Sequence, residues 1–383
     1  METTRPAKLH TSQANPAQNG TARLPDKGRG GLLDALRFAA AMLIVLYHYG
    51  EDAPLLLESL HPVFGRGYLA TDFFLMLSGY VLARAYGAQV LAGATSTGGF
   101  VVKRLARLWP AQLVVLAGFV VVVMAATALG VRVAHPEHYR LLDLAEEALL
   151  VQAWGMPGEG GWNTPSWSLS ALLACYAAFP LLWRFVARLD GPTALAAGVL
   201  AVMGGDLFCR QVFGHVLYDL PFHLGVVRAL PLFILGLCLA RAVERRLLGL
   251  TRARELLVVA GAWFVGLQAM GRLDLASILA IAAGILACGS IPVVRPSALV
   301  ERAARLSFAL FITHALTGLV WFGALRQLDL PPALMWLGWA ASFPAALGVA
   351  ALFERYVDAP LQAWLAPRIR LRPAPRPATA RSG

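Results

Sequence analysis

The chain has 383 residues, of which 58% are hydrophobic and only 14% are charged, and its formal net charge is +11. Soluble domains are about a quarter charged, so this composition excludes an ordinary water-soluble protein and favours one whose solvent is mostly lipid. The basic residues lie mainly in short loops between apolar runs, which is typical of membrane topology rather than of a nucleic-acid-binding surface.

A helix needs about 20 apolar residues to cross a bilayer. The sequence contains about ten such runs, so the predicted fold is an all-α integral membrane protein with about ten transmembrane helices. The predicted spans are 32–50, 67–84, 108–131, 165–183, 192–209, 222–240, 256–270, 275–292, 306–325 and 333–353.

A weaker apolar segment, 137–154, is not predicted to be a span. It contains Asp143, Glu146 and Glu147, and three acids inside a bilayer are costly. Without it, the Lys and Arg residues of the loops concentrate on one side, as the positive-inside rule requires. The sequence therefore predicts that 132–164 is an outer loop with an amphipathic or re-entrant helix, and that both termini are cytoplasmic.

Three regions follow from this topology. Residues 1–31 are polar and lack the apolar run of a cleavable signal peptide, so a disordered cytoplasmic arm is predicted. Residues 32–361 form the transmembrane domain. Residues 362–383 are rich in Pro and Arg, which predicts a disordered basic cytoplasmic tail.

The first span contains Arg37 and His48, eleven residues apart. Eleven residues are close to three helical turns, so both side chains share one face, with Cα atoms about 16 Å apart along the axis. Histidine is the side chain best suited to accept a proton near neutral pH. The alternative interpretation is an arginine that anchors the inner boundary and a histidine hydrogen-bonded within the bundle.

Asp72 lies in the otherwise apolar second span, and Ser78 follows it. A carboxylate inside a bilayer needs a partner. Because a short loop joins the first two spans, Asp72 is predicted to lie at the depth of His48 and to orient its imidazole, as in nucleophile–base–orienter sites. The alternative partner is the backbone or a buried arginine.

Arg104 and Arg107 precede the apolar part of the third span at i, i+3 spacing, so both lie on one helix face. Guanidinium groups suit phosphates. Together with Arg37, they predict a cytoplasmic site for a phosphorylated ligand, although positive-inside charge alone is the alternative for each arginine.

Other polar residues also stand out. Arg228 lies within the sixth span and must have a partner. The four cysteines are far apart, so neither a disulfide framework nor a metal site is predicted. The further candidates are Trp167, Ser168 and Ser170 at the start of the fourth span and His314 in the ninth.

Taken together, these segments resemble the membrane-bound acyltransferase-3 family over about residues 32–361. An R-x10-H pattern falls on Arg37 and His48, and R-x-x-R falls on Arg104 and Arg107. The remaining matching elements are D-F-F-x-x-x-S-G at 72–79, P-S-W-S-L-S at 165–170, a late L-S-F-x-L-F-x-x-H at 306–314 and D-A-P at 358–360.

The resemblance implies an O-acyltransferase of the bacterial cytoplasmic membrane. It would transfer an acetyl or other short acyl group from cytoplasmic acyl-CoA, a co-substrate, to a hydroxyl of a carbohydrate or glycolipid. No permanently bound cofactor is implied. The resemblance places the CoA phosphates at Arg37, Arg104 and Arg107, and a general base at His48 oriented by Asp72. Candidate acceptor or transition-state contacts are Ser78, Trp167, Ser168, Ser170, Arg228 and His314.

One departure concerns the acceptor. Many family members carry glutamates directly after S-W-S-L-S, whereas this chain has Leu172 and Leu173 there. Two alternatives remain open at this stage. One is a proton-coupled transporter or exporter of a glycolipid or small anionic solute, and the other is a sensory or scaffolding protein. Acyl chain length and oligomeric state are also left open.

Overall fold

The computed structural model describes residues 30–94, 96–131, 136–158 and 161–369. Within these residues the chain is helical and has no strands, which confirms the predicted all-α fold. The α-helices are α1 (Leu32–Gly50), α2 (Leu57–Leu60), α3 (Tyr68–Leu91), α4 (Thr97–Ala128), α5 (Leu141–Leu149), α6 (Trp167–Val186), α7 (Gly191–Phe213), α8 (Gly225–Glu244), α9 (Leu250–Met270), α10 (Asp274–Ser290), α11 (Ala298–Arg326), α12 (Pro332–Phe353) and α13 (Ala359–Leu365).

Each of the ten predicted spans coincides with one long helix. In the described part of the chain, eight helical segments are long and apolar enough to cross a membrane. Helices α10 and α3 are the other two predicted spans. Helix α10 is apolar but only 17 residues long, or about 26 Å at 1.5 Å per residue. Helix α3 is 24 residues long and carries Asp72. The chain is therefore a multi-pass membrane protein.

Helices α3 and α8 cross at a pair of glycines. A Cβ atom at Gly79 would overlap the carbonyl oxygen of Phe233, and one at Gly236 would overlap that of Met76. Small residues let membrane helices approach closely where lipid offers no hydrophobic driving force. Glycine is thus required at both positions, and the close crossing lets polar side chains of α3 and α8 meet.

The bundle has two distinguishable ends. We call the end that carries Arg37, Arg104 and Arg107 the arginine end. The opposite end, which carries residues 136–158 and 161–163, is the loop end, because these residues follow the far end of α4. Helix α13 lies at the arginine end, since Gln362 Nε2 donates to the carbonyl oxygens of Ala106 and Arg107, both at 3.3 Å.

The predicted loop contains the nine-residue helix α5, too short to cross a bilayer. Its acids Asp143, Glu146 and Glu147 are buried, whereas Leu141 and Leu149 are exposed. The acids thus face the protein and the leucines face outward. Parts of this loop (132–135 and 159–160), most of the predicted N-terminal arm (1–29) and most of the predicted tail (370–383) lie outside the described residues.

Candidate functional site

A cavity with about 210 Å³ of open space lies in the bundle toward the arginine end. Its wall contains all three arginines for which the sequence predicted a phosphate site, although α1 and α4 are separated by α3 in the chain. The lining residues are Arg37, Thr71, Phe74, Ser78, Arg104, Arg107, Leu108, Ser168, Leu169, Leu172, Tyr176, Ser307, Phe308 and Phe311. The cavity therefore combines three guanidinium groups with apolar side chains and several hydroxyl groups.

Each arginine is held by a different neighbour. Arg37 lies 3.3 Å from the Asp34 carboxylate one turn earlier. The Arg104 guanidinium donates to the Tyr86 hydroxyl at 2.5 Å and lies over its ring. These contacts fix the guanidinium groups, so less side-chain entropy is lost when an anion binds.

Arg107 is held by the C-terminal part of the chain. Its guanidinium pairs with the Asp358 carboxylate at 2.7 Å and lies over the Phe308 ring. Asp358 ends a π-helical turn, Glu354–Asp358, that follows α12. Such turns often occur at functional sites, and this one brings the D-A-P element against α4.

The half-buried His48 on α1 and the buried His314 on α11 form a pair. The Nδ1 atom of His48 lies 3.1 Å from Nε2 of His314, and the His314 side chain is fully buried. The Nδ1 atom of His314 faces two backbone carbonyl oxygens, those of Phe311 at 2.7 Å and Leu310 at 3.2 Å. Carbonyl oxygens only accept hydrogen bonds, so Nδ1 of His314 carries the proton and Nε2 has the lone pair.

This tautomer of His314 determines the tautomer of His48. The Nδ1–H of His48 faces only acceptors, namely Nε2 of His314 and the Ile44 carbonyl oxygen at 3.0 Å. Its Nε2 atom is then left with the lone pair. The pair thus orients His48 so that Nε2 can accept a proton.

The prediction that Asp72 pairs with His48 was wrong. The Asp72 carboxylate accepts from Nε of Arg228 at 2.9 Å, and both side chains are buried. Nη2 of Arg228 lies 2.9 Å from the same oxygen without forming a well-directed hydrogen bond. The physical reason is the close α3–α8 crossing, which offers Asp72 a cation rather than a neutral imidazole. This is the arginine partner given as the alternative, and it confirms that Arg228 needs a partner.

One aromatic residue connects the cavity with the histidine pair. Phe311 lines the cavity, its ring centroid lies 6.2 Å from that of His314, and its carbonyl oxygen faces His314 Nδ1. Phe74 lines the same wall, 6.5 Å from the Phe311 ring. Neither histidine is among the lining residues, so Phe311 is the residue that contacts both the cavity and His314.

The remaining predicted residues fall into two groups. Ser78 and Ser168 line the cavity. Trp167 instead packs against Arg228, with the guanidinium 5.4 Å from its ring. Ser170 has a structural contact, since its hydroxyl donates to the Leu150 carbonyl oxygen at 2.8 Å and accepts from the Ala153 N–H at 3.2 Å. Their roles as acceptor contacts stay predictions.

The sequence analysis missed Tyr176 and Gln112, which lie near the site. Tyr176 lines the cavity. Gln112, on α4, and Asn163, before α6, are buried and bonded to each other. A lone glutamine inside the run LWPAQLVV was a visible signal, because an amide in an apolar span requires polar contacts.

Glu147 anchors the segment before α6. Its carboxylate accepts from the backbone N–H groups of Trp162 at 3.0 Å and Asn163 at 2.8 Å. Burial, partly opposed by these hydrogen bonds, raises the pKa of Glu147 from 4.5 to about 7. The raised pKa means that the folded protein holds this proton more tightly than the unfolded chain does.

This proton predicts a pH-dependent stability. Its contribution to the free energy of unfolding is complete below the unfolded pKa of 4.5 and is lost as the pH rises to about 7. Since each pKa unit corresponds to 1.36 kcal/mol, the free energy of unfolding should fall by roughly 3 kcal/mol over this pH range. In detergent, the thermal midpoint of the native protein should fall across this window more steeply than that of Glu147→Gln. The control is Glu301→Gln, because the Glu301 side chain is 35% exposed. If the thermal midpoints of Glu147→Gln and the native protein changed with pH in parallel, the prediction would be contradicted.

The fold and the site define an integral membrane protein with an arginine-lined cavity in its bundle and a histidine pair that Phe311 connects to it. A model of the acyltransferase-3 family, described as an acyltransferase domain, matches residues 32–355. The chain therefore belongs to the acyltransferase-3 family.

Two characterised sequences are similar to parts of the chain. "Protein 2 in picA locus" from Rhizobium radiobacter is 36% identical over 121 residues, which cover 30% of this chain and 58% of that protein. Acyltransferase MdmB from Streptomyces mycarofaciens is 32% identical over 167 residues, or 41% of this chain and 40% of that protein. The chain thus spans less than two thirds of the length of each relative. No solved structure matches it.

Proposed function

We propose that this membrane protein transfers an acetyl or other short acyl group from acyl-CoA to a hydroxyl group of a carbohydrate or glycolipid. The observation that carries the proposal is the convergence of Arg37, Arg104 and Arg107 on one cavity whose wall contacts the His48–His314 pair. The similarity to acyltransferase MdmB supports the reaction class.

The arginine end would bind the phosphates of CoA. Three guanidinium groups on one cavity match a ligand with several phosphates. Arg37 and His48 are about 16 Å apart along α1, comparable to the reach of a pantetheine arm. The thioester would then lie past Phe311, near His48. Since acyl-CoA is cytoplasmic, the arginine end would face the cytoplasm, in agreement with the charge distribution.

His48 would act as the general base. Nε2 of His48 takes the proton from the acceptor hydroxyl, and the oxygen bonds to the thioester carbonyl carbon. The carbon–sulfur bond then breaks, and the proton ends on the thiol of CoA. His314 holds His48 in the required tautomer through the 3.1 Å contact. Asp72 has no part in this step.

Release of free thiol tests the proposal. Washed membranes that contain the protein are incubated with acetyl-CoA and crude envelope glycans, and CoA is measured against membranes without the protein. Thiol release with acetyl label on the glycan fraction is expected. Absence of release with a broad set of acceptors would reject the proposal and favour the transporter, which breaks no thioester.

The arginines provide a prediction about donor binding. Arg37→Ala should raise the KM for acetyl-CoA roughly tenfold with little change in kcat, because one charge-assisted hydrogen bond is worth about 1.5 kcal/mol or more. Arg37→Lys should recover part of this loss.

The matched control is Arg305→Ala. This arginine forms a similar pair within one helix, is 56% exposed and is not among the cavity residues. An equal rise in KM for both alanine variants would show that the arginines act only through general surface charge.

A further inference from the structure

Two buried amides, Gln112 on α4 and Asn163 before α6, form only part of the hydrogen bonds that their polar atoms could form. Nδ2 of Asn163 donates to Oε1 of Gln112 at 3.0 Å and approaches the Ile312 carbonyl oxygen at 3.4 Å. Nε2 of Gln112 and Oδ1 of Asn163 have no hydrogen-bond partner. Both residues are at most 1% exposed. Burying an unpaired amide atom is costly, so two such atoms in one contact indicate a place for a ligand.

The register of two helices places this pair beside the cavity. Gln112 is one turn beyond Leu108 on α4, and Leu108 lines the cavity. Ile312 follows the cavity residue Phe311 on α11 and lies in the same turn as His314. The amides therefore lie on the loop-end side of the cavity, opposite the arginines.

The free atoms define the chemistry of the ligand group. One is an N–H donor and the other a carbonyl acceptor, and neither residue is charged. A phosphate or carboxylate would use only the donor, and an ammonium would use only the acceptor. A hydroxyl can accept from Gln112 and donate to Asn163 at the same time.

We propose that Gln112 and Asn163 form the subsite that binds a hydroxyl group of the acyl acceptor, an inference that rests on the proposed function. The bound hydroxyl is not the one that reacts, because its proton points to Asn163 rather than to His48. The acceptor must then carry two neighbouring hydroxyls, as a vicinal diol of a sugar does. One is held by the amides while the other loses its proton to His48.

Glu147 fixes the subsite from the loop end. Its carboxylate accepts the backbone N–H of Asn163, while Gln112 is fixed by α4. The two amides thus come from separate parts of the fold, Gln112 from α4 and Asn163 from the segment before α6.

The test separates donor and acceptor kinetics. Octyl glucoside, a glycolipid analogue with vicinal hydroxyls, is the probe, and acetyl-CoA is the donor. Gln112→Met and Asn163→Leu should each raise the KM for octyl glucoside about tenfold or more, with the KM for acetyl-CoA unchanged. Gln268→Met is the control. Gln268 is also buried, but its Nε2 donates a hydrogen bond to the hydroxyl of Ser277 on α10 at 3.1 Å.

The thermal midpoint of each variant shows whether it is folded, and each substitution is measured as a single variant. An unchanged KM for octyl glucoside in folded variants would overturn the subsite. Failure of the native protein to acetylate octyl glucoside, while it still releases CoA, would also overturn it. Absence of any CoA release by the native protein would instead reject the proposed function.

Discussion

CoA release should fall by roughly 10²–10⁴-fold when His48 is replaced with alanine, the range typical of a lost general base. The neighbouring His314 cannot replace it. Its Nδ1–H is directed to the carbonyl oxygens of Phe311 and Leu310, and its Nε2 faces His48 rather than the cavity. The loss should appear in kcat, because the arginines that hold the donor are unaffected.

The measurement uses membranes matched for the amount of protein, with acetyl-CoA and crude envelope glycans. His215→Ala is the control, since His215 is exposed in the loop before α8. Release that is unchanged in His48→Ala would reject His48 as the base, whatever the identity of the acceptor.

The second large effect concerns stability. Arg228→Met should lower the free energy of unfolding by about 3–5 kcal/mol, because it leaves the buried Asp72 carboxylate without its cation. The double variant Asp72→Leu/Arg228→Met should recover most of this loss, since apolar replacement of both members of a buried ion pair is often neutral or stabilising. The thermal midpoint in detergent measures both.

A surface pair provides the control for this effect. Arg326 and Asp52 form an ion pair at 2.7 Å, but their side chains are 46% and 34% exposed. Arg326→Met should lower the free energy of unfolding by about 1 kcal/mol or less. If Arg228→Met were no more harmful than Arg326→Met, the α3–α8 ion pair would not be a stabilising element.

The spans could be predicted because each is a local apolar run whose length alone meets the requirement of a bilayer. The arginine site could also be predicted, because R-x-x-R spacing places both arginines on one helix face. The partner of Asp72 could not be predicted. The predicted depth of Asp72 in the bilayer matched that of His48, but the choice between His48 and Arg228 depends on the rotation of α3. A helix that is apolar on most sides does not define that rotation.

The pairs that form the site join distant parts of the chain. His48 and His314 are 266 residues apart, and Gln112 and Asn163 are 51 apart. Each polar residue indicated a need for a partner, but only the packing of α1 on α11 and of Asn163 against α4 identified which partner. Local sequence thus showed which residues matter, and the tertiary fold determined their contacts.

The α3–α8 ion pair has a consequence for how the protein is made. Asp72 is synthesised 156 residues before Arg228. At 5–20 residues per second, that interval is roughly 8–30 s. During this time α3 carries a carboxylate whose partner does not yet exist, so its release from the insertion machinery into lipid is unfavourable until α8 emerges. The close crossing at Gly79 and Gly236, which brings the two charges together, can form only after α8 has been made.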